Sequence, residues 1–307
     1  MRQVWCEVGT RAMRVALISV TLSVGWPTAS TAQQVPAAPC RASGALVRIP
    51  DLPEASGVAV SRRSPGRLWA HNDSGEAVLV ALDTEGSVTG RVRVSGMKID
   101  DWEAVAVGAC PGGSCIYIAD IGDNEAERGR ITIHRVPEPS NEDSIAVKDT
   151  FHATYPDGAH DAETLLVAPD GGLFIVTKGE TDAVGLYRFP RELRPGATHQ
   201  LERVGKPRTS GKASKTERIT DGAVSPDGTW VILRTGQSFA LHTSADLFAG
   251  NWTDAGRVDL KAIGEAQGEG VAIAADGTVY LIGEGGGKSQ PGTFAKYSCS
   301  LKPRDQR

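Results

Sequence analysis

Residues 103–107 read Glu-Ala-Val-Ala-Val, a polar residue followed by a short apolar run, and variants of this stretch recur along the 307-residue chain. Each copy precedes a tight turn and a second apolar run. The copies begin at Ser56, Glu103, Glu163, Asp221 and Glu269. Successive copies are 47, 60, 58 and 48 residues apart. A strand-only repeat of this length is typical of a propeller blade. We therefore predict an all-β, five-bladed β-propeller.

The last repeat is one strand short when the apolar pattern ends near Cys299. Residues 44–50 form an apolar segment before the first repeat, and we expect this N-terminal strand to complete the last blade. Such closure removes the exposed sheet edges of an open propeller. Six blades are the alternative, if the long stretch 124–160 or 190–218 contains a degenerate repeat.

The first 32 residues have the order of a secretory signal peptide. Arg11 and Arg14 precede an apolar run over 15–26, and small residues at 30–32 provide a cleavage site. We therefore expect a secreted or periplasmic protein with no stable membrane anchor after processing. The predicted segments are a signal peptide (1–32), a linker (33–43), the propeller domain (44–301) and a C-terminal tail (302–307).

Four cysteines remain after the predicted leader is removed, and they allow three pairings. Cys110 and Cys115 flank a short turn between two strands of one blade, so they are close enough to bridge. Cys40 and Cys299 lie beside the first and last strands of the predicted propeller. Because those strands share a blade in a closed ring, we predict the disulfides Cys40–Cys299 and Cys110–Cys115.

Composition and charge exclude some partners. The chain has a net charge of −4, 40% hydrophobic residues and 36 glycines, which is typical of a turn-rich globular protein. No basic patch interleaved with aromatic residues is present, so we expect no nucleic-acid partner. We expect a monomer.

Equivalent positions on successive blades face one central axis, so the first residues of the repeats are predicted to form a ring. The members of this predicted ring are Ser56, Glu103, Glu163, Asp221 and Glu269. Carboxylates held close together raise one another's pKa values, and a bound cation relieves the repulsion. Oxygen ligands favour Ca²⁺ or Mg²⁺, and the flexible coordination of calcium suits such a ring better. We predict bound calcium; the alternative is solvated carboxylates around an open water channel.

A second set of polar residues is predicted to form a rim on the same face, where the second strands end. The members of this rim are His71, Asp73, Asp120, Lys178, Arg234 and Glu284. Two cationic side chains near a divalent cation would suit an anionic small molecule carrying a phosphate or carboxylate group. Neutralisation of neighbouring acids is the alternative role for these cations.

Four segments resemble secreted bacterial propellers of the SdiA-regulated and esterase-like phytase type. They are 55–60 (Ala-Ser-Gly-Val-Ala-Val), 72–75 (Asn-Asp-Ser-Gly), 101–106 (Asp-Trp-Glu-Ala-Val-Ala) and 117–124 (Tyr-Ile-Ala-Asp-Ile-Gly-Asp-Asn). This resemblance covers most of the predicted propeller. It implies the fold and a possible calcium site, and the phytase label implies a phosphoesterase.

The predicted ring is also similar to the calcium site of the five-bladed calcium-activated nucleotidases, the apyrases. In that family the metal lies on the axis, and the nucleotide phosphates approach it. Ser56, Glu103, Glu163 and Glu269 match the family position by position. The fourth blade departs, because Asp221 stands where the apyrases have serine; Thr220 is the alternative equivalent.

Two functions follow from these expectations. The first is a secreted, calcium-binding propeller that acts as a ligand-binding or scaffold protein. The alternative is a calcium-dependent phosphoesterase, phytase-like or nucleotidase-like, in which Lys178 and Arg234 hold the anion above the central channel. Glycoside hydrolysis by paired rim carboxylates is a third possibility.

Overall fold

Five sheets arranged around a central channel form the fold of this protein, and each sheet is one blade. The structure is a computed structural model that describes residues 1, 3, 40–287 and 289–301. The predicted signal peptide (apart from residues 1 and 3), most of the predicted linker and the predicted tail lie outside the described residues. The five-bladed prediction is confirmed.

Blades one to four each consist of four antiparallel strands in chain order from the channel outward. Blade one contains β3 (Ala55–Val60), β4 (Arg67–Asn72), β5 (Val78–Asp83) and β6 (Val88–Ser95). Blade two contains β7 (Trp102–Cys110), β8 (Gly113–Asp120), β9 (Ile131–Pro137) and β11 (Asp149–Thr154). Blade three contains β12 (Ala162–Val167), β13 (Leu173–Thr177), β14 (Leu186–Arg188) and β16 (Glu202–Arg203). Blade four contains β17 (Ile219–Val224), β18 (Trp230–Thr235), β19 (Ser238–Thr243) and β20 (Gly256–Asp259).

Blade five is built from both ends of the described chain, as predicted. Its strands are β21 (Gln267–Ile273), β22 (Thr278–Glu284), β23 (Gly292–Cys299), β2 (Val47–Ile49) and β1 (Cys40–Ala42). Both N-terminal strands pair antiparallel with β23. β1 falls within the segment predicted as a linker (33–43), and it joins the sheet of blade five by pairing with residues 297–299.

The stretches considered for a sixth blade instead widen two existing blades. β10 (Ser144–Ala146) pairs parallel with the outer strand of blade one, and β15 (Thr198–Gln200) pairs parallel with the outer strand of blade two. Each is a three-residue strand contributed by the following blade. Because such strands are too short to form a sheet of their own, these stretches do not add a blade.

Five clusters of buried apolar side chains hold the blades together, and each cluster lies between two neighbouring blades. Between blades two and three, for example, Ile133 and Phe151 pack with Leu165 and Ile175. Equivalent clusters join the other four pairs, including blades five and one. Burial of apolar surface contributes about 25 cal/mol per Å². The innermost strands pack against a neighbouring blade on each side, so most of their side chains are apolar. A polar side chain on one of these strands therefore calls for a specific explanation.

Tight turns and short helices connect the strands. Gly171 and Gly277 adopt positive φ angles of 83° and 85° in Asp-Gly turns, a conformation that glycine takes without steric cost. Helix α1 (Ser244–Phe248) begins at Thr243, whose side chain accepts a hydrogen bond from the backbone N–H of Asp246. A single 3₁₀ turn covers Lys261–Ile263. Within the described ranges, no helix is long and apolar enough to cross a membrane.

Both predicted disulfides are confirmed. Cys40–Cys299 joins the first and last strands of the propeller across 259 residues of sequence, and Cys110–Cys115 closes the turn between β7 and β8. The first bond covalently fastens the closure of blade five. The second closes only a local loop.

Removing the long-range disulfide should destabilise the protein more than removing the local one. In the chain-entropy model, a 259-residue loop contributes on the order of 5 kcal/mol and a five-residue loop about 2 kcal/mol. We expect Cys40→Ser with Cys299→Ser to lower the free energy of unfolding more than Cys110→Ser with Cys115→Ser does, as measured by denaturant titration. Equal losses would contradict a closure role for the first bond.

Candidate functional site

The innermost strand of every blade carries a β-bulge near its start. The ladder register shifts at this point in β3, β7, β12, β17 and β21. A bulge adds one residue to a strand and redirects its side chain. We call the five residues at these shifts the bulge ring: Ser56, Glu103, Glu163, Thr220 and Glu269. All five line one cavity at the mouth of the channel. Polar side chains thus leave otherwise buried strands at five equivalent points.

The member contributed by blade four is Thr220, so the placement of Asp221 in the predicted ring is corrected. Asp221 is opposite Arg234 in the ladder, is buried, and does not line the cavity. Its Oδ2 accepts a hydrogen bond from the backbone N–H of Val271 at 2.8 Å. Because side chains alternate along a strand, a one-residue difference in register moves a side chain to the other face.

The two hydroxyl members of the bulge ring have the same hydrogen bond. Ser56 Oγ donates to the carbonyl oxygen of Glu103 at 2.8 Å, and Thr220 Oγ1 donates to that of Glu269 at 3.0 Å. Each hydroxyl has a single hydrogen and two lone pairs. Once the hydrogen is used, the oxygen can act only as an acceptor or as a ligand to a cation.

The cavity above the bulge ring, which we call the mouth cavity, has a volume of about 500 Å³. Its charged lining consists of seven acidic side chains and three basic ones: Asp73, Asp101, Glu103, Glu163, Glu180, Glu269 and Glu284, with Lys178, Lys215 and Arg218. Further along the same strands lies a separate space of about 50 Å³, lined mostly by apolar residues such as Val58, Val105 and Leu165. The charged lining of the mouth cavity is predominantly acidic.

Lys178 supplies positive charge next to the bulge ring. Its Nζ lies 2.5 Å from Glu163 Oε1, 3.5 Å from Asp161 Oδ2 and 3.6 Å from Glu180 Oε2. Glu180 also forms an ion pair with Arg218, at 2.5 Å. The prediction that Lys178 lies near the ring is thus met by direct contact with one of its carboxylates.

Burial and mutual repulsion raise the pKa values of the ring carboxyl groups. The pKa of Glu103 lies well above its usual value because of burial, the charge of Glu163 and a hydrogen bond between the two side chains. Burial also raises the pKa of Glu163, while the ammonium of Lys178 opposes that rise. The pKa rise is larger for Glu103 than for Glu163, because Lys178 contacts the Glu163 carboxylate directly.

The opposite wall of the cavity is acidic. Burial and the charge of Glu163 raise the pKa of Glu269 to about 8, although Gln267 donates a hydrogen bond to its Oε1 at 2.7 Å. Burial, Asp73 and Glu54 raise the pKa of Glu284 to about 7. Asp73 and Glu284 both line the cavity, as expected for the predicted rim.

Two predicted rim residues are fixed in structural positions outside the cavity. His71 is fully buried and stacks on Trp102, with ring centroids 4.2 Å apart. Its Nε2 accepts the backbone N–H of Gly57 at 3.1 Å, so its Nδ1 donates to the carbonyl of Asn72 at 2.9 Å. Asp120 is also buried, where it accepts the N–H groups of Asp100 and Asp101 and pairs with Arg128.

Arg234, a third predicted rim residue, also lies outside the cavity. Its side chain is fully buried, and its Nη1 donates to the carbonyl oxygens of Gly270 and Ile282 at 2.6 and 2.7 Å. Its Nη2 pairs with Glu265 Oε2 at 2.5 Å. Arg234 therefore ties blade four to blade five and does not reach an anion in the mouth cavity.

Several cavity residues were missed by the sequence reasoning. Asp101 directly precedes β7, Gln267 is the first residue of β21, and Glu180 follows β13 and Lys178. Lys215 and Arg218 belong to the end of a basic stretch over 206–218, here called the basic strap. The strap is fastened to blade three, because Arg208 N–H donates to Val184 O and Ala213 N–H to Gly179 O, both at 2.8 Å. The clustering of five Lys and Arg residues in the strap was the available signal.

The predicted metal has no ready-made set of ligands in this arrangement. Among the residues that the structure describes, no group of three or more His, Cys, Asp or Glu side chains is placed to hold an ion. The contact between Lys178 and Glu163 accounts for part of this, since an ammonium group occupies one carboxylate.

Comparisons with known proteins identify no family. No family model matches the chain, and no curated protein matches it. Solved structures match over most of its length. A PQQ-bound aldose sugar dehydrogenase from Streptomyces coelicolor is 11% identical, with a TM-score of 0.48 over 84% of this chain and 99% of that one. A gluconolactonase from Xanthomonas campestris is 11% identical, with a TM-score of 0.41 over 85% and 96%.

Hydrazine synthase from Kuenenia stuttgartiensis is a third similar structure. It is 17% identical, with a TM-score of 0.39 over 76% of this chain, and the chain spans 56% of that protein. The class that the sheets define is a five-bladed β-propeller.

Loss of Arg234 should destabilise the fold, because the buried carboxylate of Glu265 would lose its cationic partner. Removing one partner of a buried ion pair typically costs 3–5 kcal/mol, whereas replacing both partners by apolar residues costs much less. We expect Arg234→Met to lower the free energy of unfolding by about 3 kcal/mol or more, and Arg234→Met with Glu265→Leu to recover much of this loss. Denaturant titration of both variants measures it; a double variant less stable than the single one would contradict the assignment.

His71 should make the protein sensitive to acid. Burial lowers its pKa from 6.5 to about 4, so the unfolded chain binds a proton at a higher pH than the folded chain does. Stability linked to this group is therefore complete above about pH 6.5 and falls between 6.5 and 4, by about 3 kcal/mol. In His71→Gln, which retains an acceptor for Gly57, the free energy of unfolding should fall less over this pH range. A parallel pH dependence in both proteins would contradict the buried neutral state.

Proposed function

We propose that this chain is a ligand-binding β-propeller that holds a calcium ion at the bulge ring and a small molecule in the mouth cavity above it. The observation that carries this proposal is the set of bulges at five equivalent points, each of which directs an oxygen-bearing side chain into one cavity. A bulge leaves one residue of the strand unpaired and disrupts the ladder locally. Five bulges whose side chains face one cavity therefore favour binding of a shared ligand over a coincidence of position.

The donor set supports a hard cation. The bulge ring offers three carboxylates and two hydroxyl oxygens whose hydrogens are already donated elsewhere. Calcium accepts six to eight oxygen ligands in flexible geometry, whereas zinc and copper favour nitrogen and sulfur. Ser56, Glu103, Glu163, Thr220 and Glu269 would hold the ion. Its chemistry there would be charge neutralisation of buried carboxylates and attraction of an anionic or hydroxylated ligand.

To bind at the bulge ring, calcium would have to replace the positive charge that now neutralises a ring carboxylate. Glu163 would exchange the Lys178 ammonium for the ion, and the charge of the ion would lower the raised pKa of Glu103. Both changes are confined to side chains. Because the carboxyl groups are buried at fixed points of the backbone, the residues need no change of fold to converge on an ion.

The binding function is favoured over the phosphoesterase alternative. The alternative required Lys178 and Arg234 to hold one anion, but Arg234 is buried between blades four and five. Asp73, Asp120 and His71 were the candidates for the general base in that mechanism, and of these Asp73 lines the cavity while His71 and Asp120 do not. The cavity therefore does not bring Lys178 and Arg234 together on one anion, which is the arrangement on which that mechanism depended.

We place this function outside the cytoplasm. Two disulfides are typical of chains that fold in an oxidising compartment, because cytoplasmic thiols are kept reduced. The signal peptide expected at 1–32 is consistent with export. The monomeric state stays a prediction.

Calcium should stabilise the folded protein, since the bulge ring exists only after folding. Ligand at a hundred times its Kd adds about 2.7 kcal/mol to the free energy of unfolding. We expect Glu103→Gln to weaken calcium binding roughly tenfold or more and Thr220→Val about fivefold. Titration calorimetry and thermal melts of metal-free protein measure both effects.

Asp221→Asn is the matched control for this experiment. It removes a carboxylate next to Thr220 that does not line the cavity, and the amide oxygen can still accept the N–H of Val271. Calcium affinity should stay within twofold of the natural protein. Loss of calcium binding in Asp221→Asn but not in Thr220→Val would refute the bulge ring, and identical melts with calcium and with chelator would refute the calcium proposal.

A further inference from the structure

We infer that Lys178 is a tethered competitor for the cation site, and that a bound cation frees its ammonium to form an anion site with Lys215 and Arg218. This inference rests on the proposed function and adds to it a class of second ligand and a coupling between the two ligands. The second ligand is a small oxyanion, such as a sulfate, phosphate ester or carboxylate group.

Lys178 is anchored at its backbone and adjustable at its tip. Its N–H donates to the carbonyl of Asp161 at 2.9 Å, and its carbonyl accepts the N–H of Ile219 at 3.0 Å, so blades three and four both fix it. The side chain is 20% exposed and lines the mouth cavity. Only the flexible four-carbon stem needs to move for the ammonium to change partners.

The ammonium and a divalent cation cannot share Glu163. Lys178 Nζ stands 2.5 Å from Glu163 Oε1 and so occupies the position of an ion bound to that oxygen, since calcium lies about 2.3–2.6 Å from its oxygen ligands. An ion on this carboxylate would be only a few ångströms from the ammonium, and like charges at such distances repel strongly where screening by water is weak. Binding of the ion and the present position of Lys178 are therefore mutually exclusive. The apparent affinity for the ion is reduced by the fraction of molecules in which Lys178 occupies the site.

The displaced ammonium group has another carboxylate, that of Glu180, within reach. Glu180, at 3.6 Å from Nζ, lines the cavity beside Arg218, whose Nη1 it contacts at 2.5 Å. Lys215 lines the same cavity from the basic strap. After the exchange, three cationic side chains stand beside the carboxylates of Glu180 and Asp161, the second of which lies 3.5 Å from Nζ. Within the part of the chain that the structure describes, the buried Nε of Arg218 has no hydrogen-bond partner, so its guanidinium retains a donor.

The affinity of the cavity for an anion is therefore expected to be higher after the cation binds than before. Without the ion, Lys178 is neutralised by Glu163, and the cavity lining holds more acidic than basic side chains, which disfavours an oxyanion. With the ion, the ring is neutralised and the wall is positive. Each ligand must then raise the affinity of the other by the same factor, because coupling between two sites is reciprocal.

The test compares calcium and sulfate binding in the natural protein, in Lys178→Met and in Lys212→Met. Lys212 is an exposed lysine of the basic strap that does not line the cavity, so it controls for loss of one positive charge. Titration calorimetry at constant ionic strength, with chloride replacing sulfate, removes general screening. We expect Lys178→Met to bind calcium about fivefold tighter or more. Calcium should tighten sulfate by a similar factor in the natural protein and in Lys212→Met, but not in Lys178→Met.

The outcomes separate this inference from the function on which it rests. Absence of calcium binding in all three proteins overturns both. Equal calcium affinities, with sulfate unaffected by calcium, overturn the inference and leave the calcium proposal standing. Calcium binding by Lys178→Met alone supports the competition and refutes calcium as a ligand of the natural chain. If Lys178→Met does not fold, sulfate should still tighten calcium reciprocally in the natural protein; failure of that reciprocity overturns the coupling.

Discussion

The balance of charge on the channel axis is the constraint on which the rest of this structure depends. Three of the five bulges turn Glu103, Glu163 and Glu269 out of strands that are otherwise apolar, and bring them into one cavity. Buried anions without compensation are costly. The three carboxyl groups differ in their environment: the pKa of Glu103 is raised well above its usual value, the ammonium of Lys178 contacts Glu163, and the amide of Gln267 donates a hydrogen bond to Glu269.

Glycines beside the site also limit where these carboxyl groups can lie. A Cβ on Gly122 would collide with the carboxyl groups of both Asp101 and Glu103, and one on Gly57 would collide with the imidazole of His71. These two glycines let the main chain approach the polar groups of the site closely.

The sequence was sufficient to predict the blades, the closure and both disulfides, because all of these follow from periodicity and from the adjacency of the two chain ends. The bulge ring was found to within one residue. Asp221 and Thr220 are neighbours, and only the observed ladder, in which Ile219 faces Thr235 and Asp221 faces Arg234, shows which of them is the extra residue. A one-residue bulge leaves no mark in an apolar repeat.

The rim was harder to predict, because a charged residue at the end of a strand can turn either way. Arg234 lies inside β18, where its side chain contacts two backbone carbonyls and Glu265 between blades. Lys178 lies one residue beyond the end of the equivalent strand β13, and its side chain contacts Glu163. Their partners come from distant parts of the chain. The basic strap likewise contributes to the cavity only through long-range contacts that no local pattern encodes.

The bond between Cys40 and Cys299 gives the folded backbone the connectivity of a circle. In a circle, one cut produces a single open chain and no separate piece. A protease that cleaves one exposed loop between these cysteines therefore leaves every blade covalently attached to its neighbours, with the severed ends held in place by their own sheets. Fragments can leave only after a second cut or after reduction, so one proteolytic event outside the cell is not sufficient to dismantle the channel.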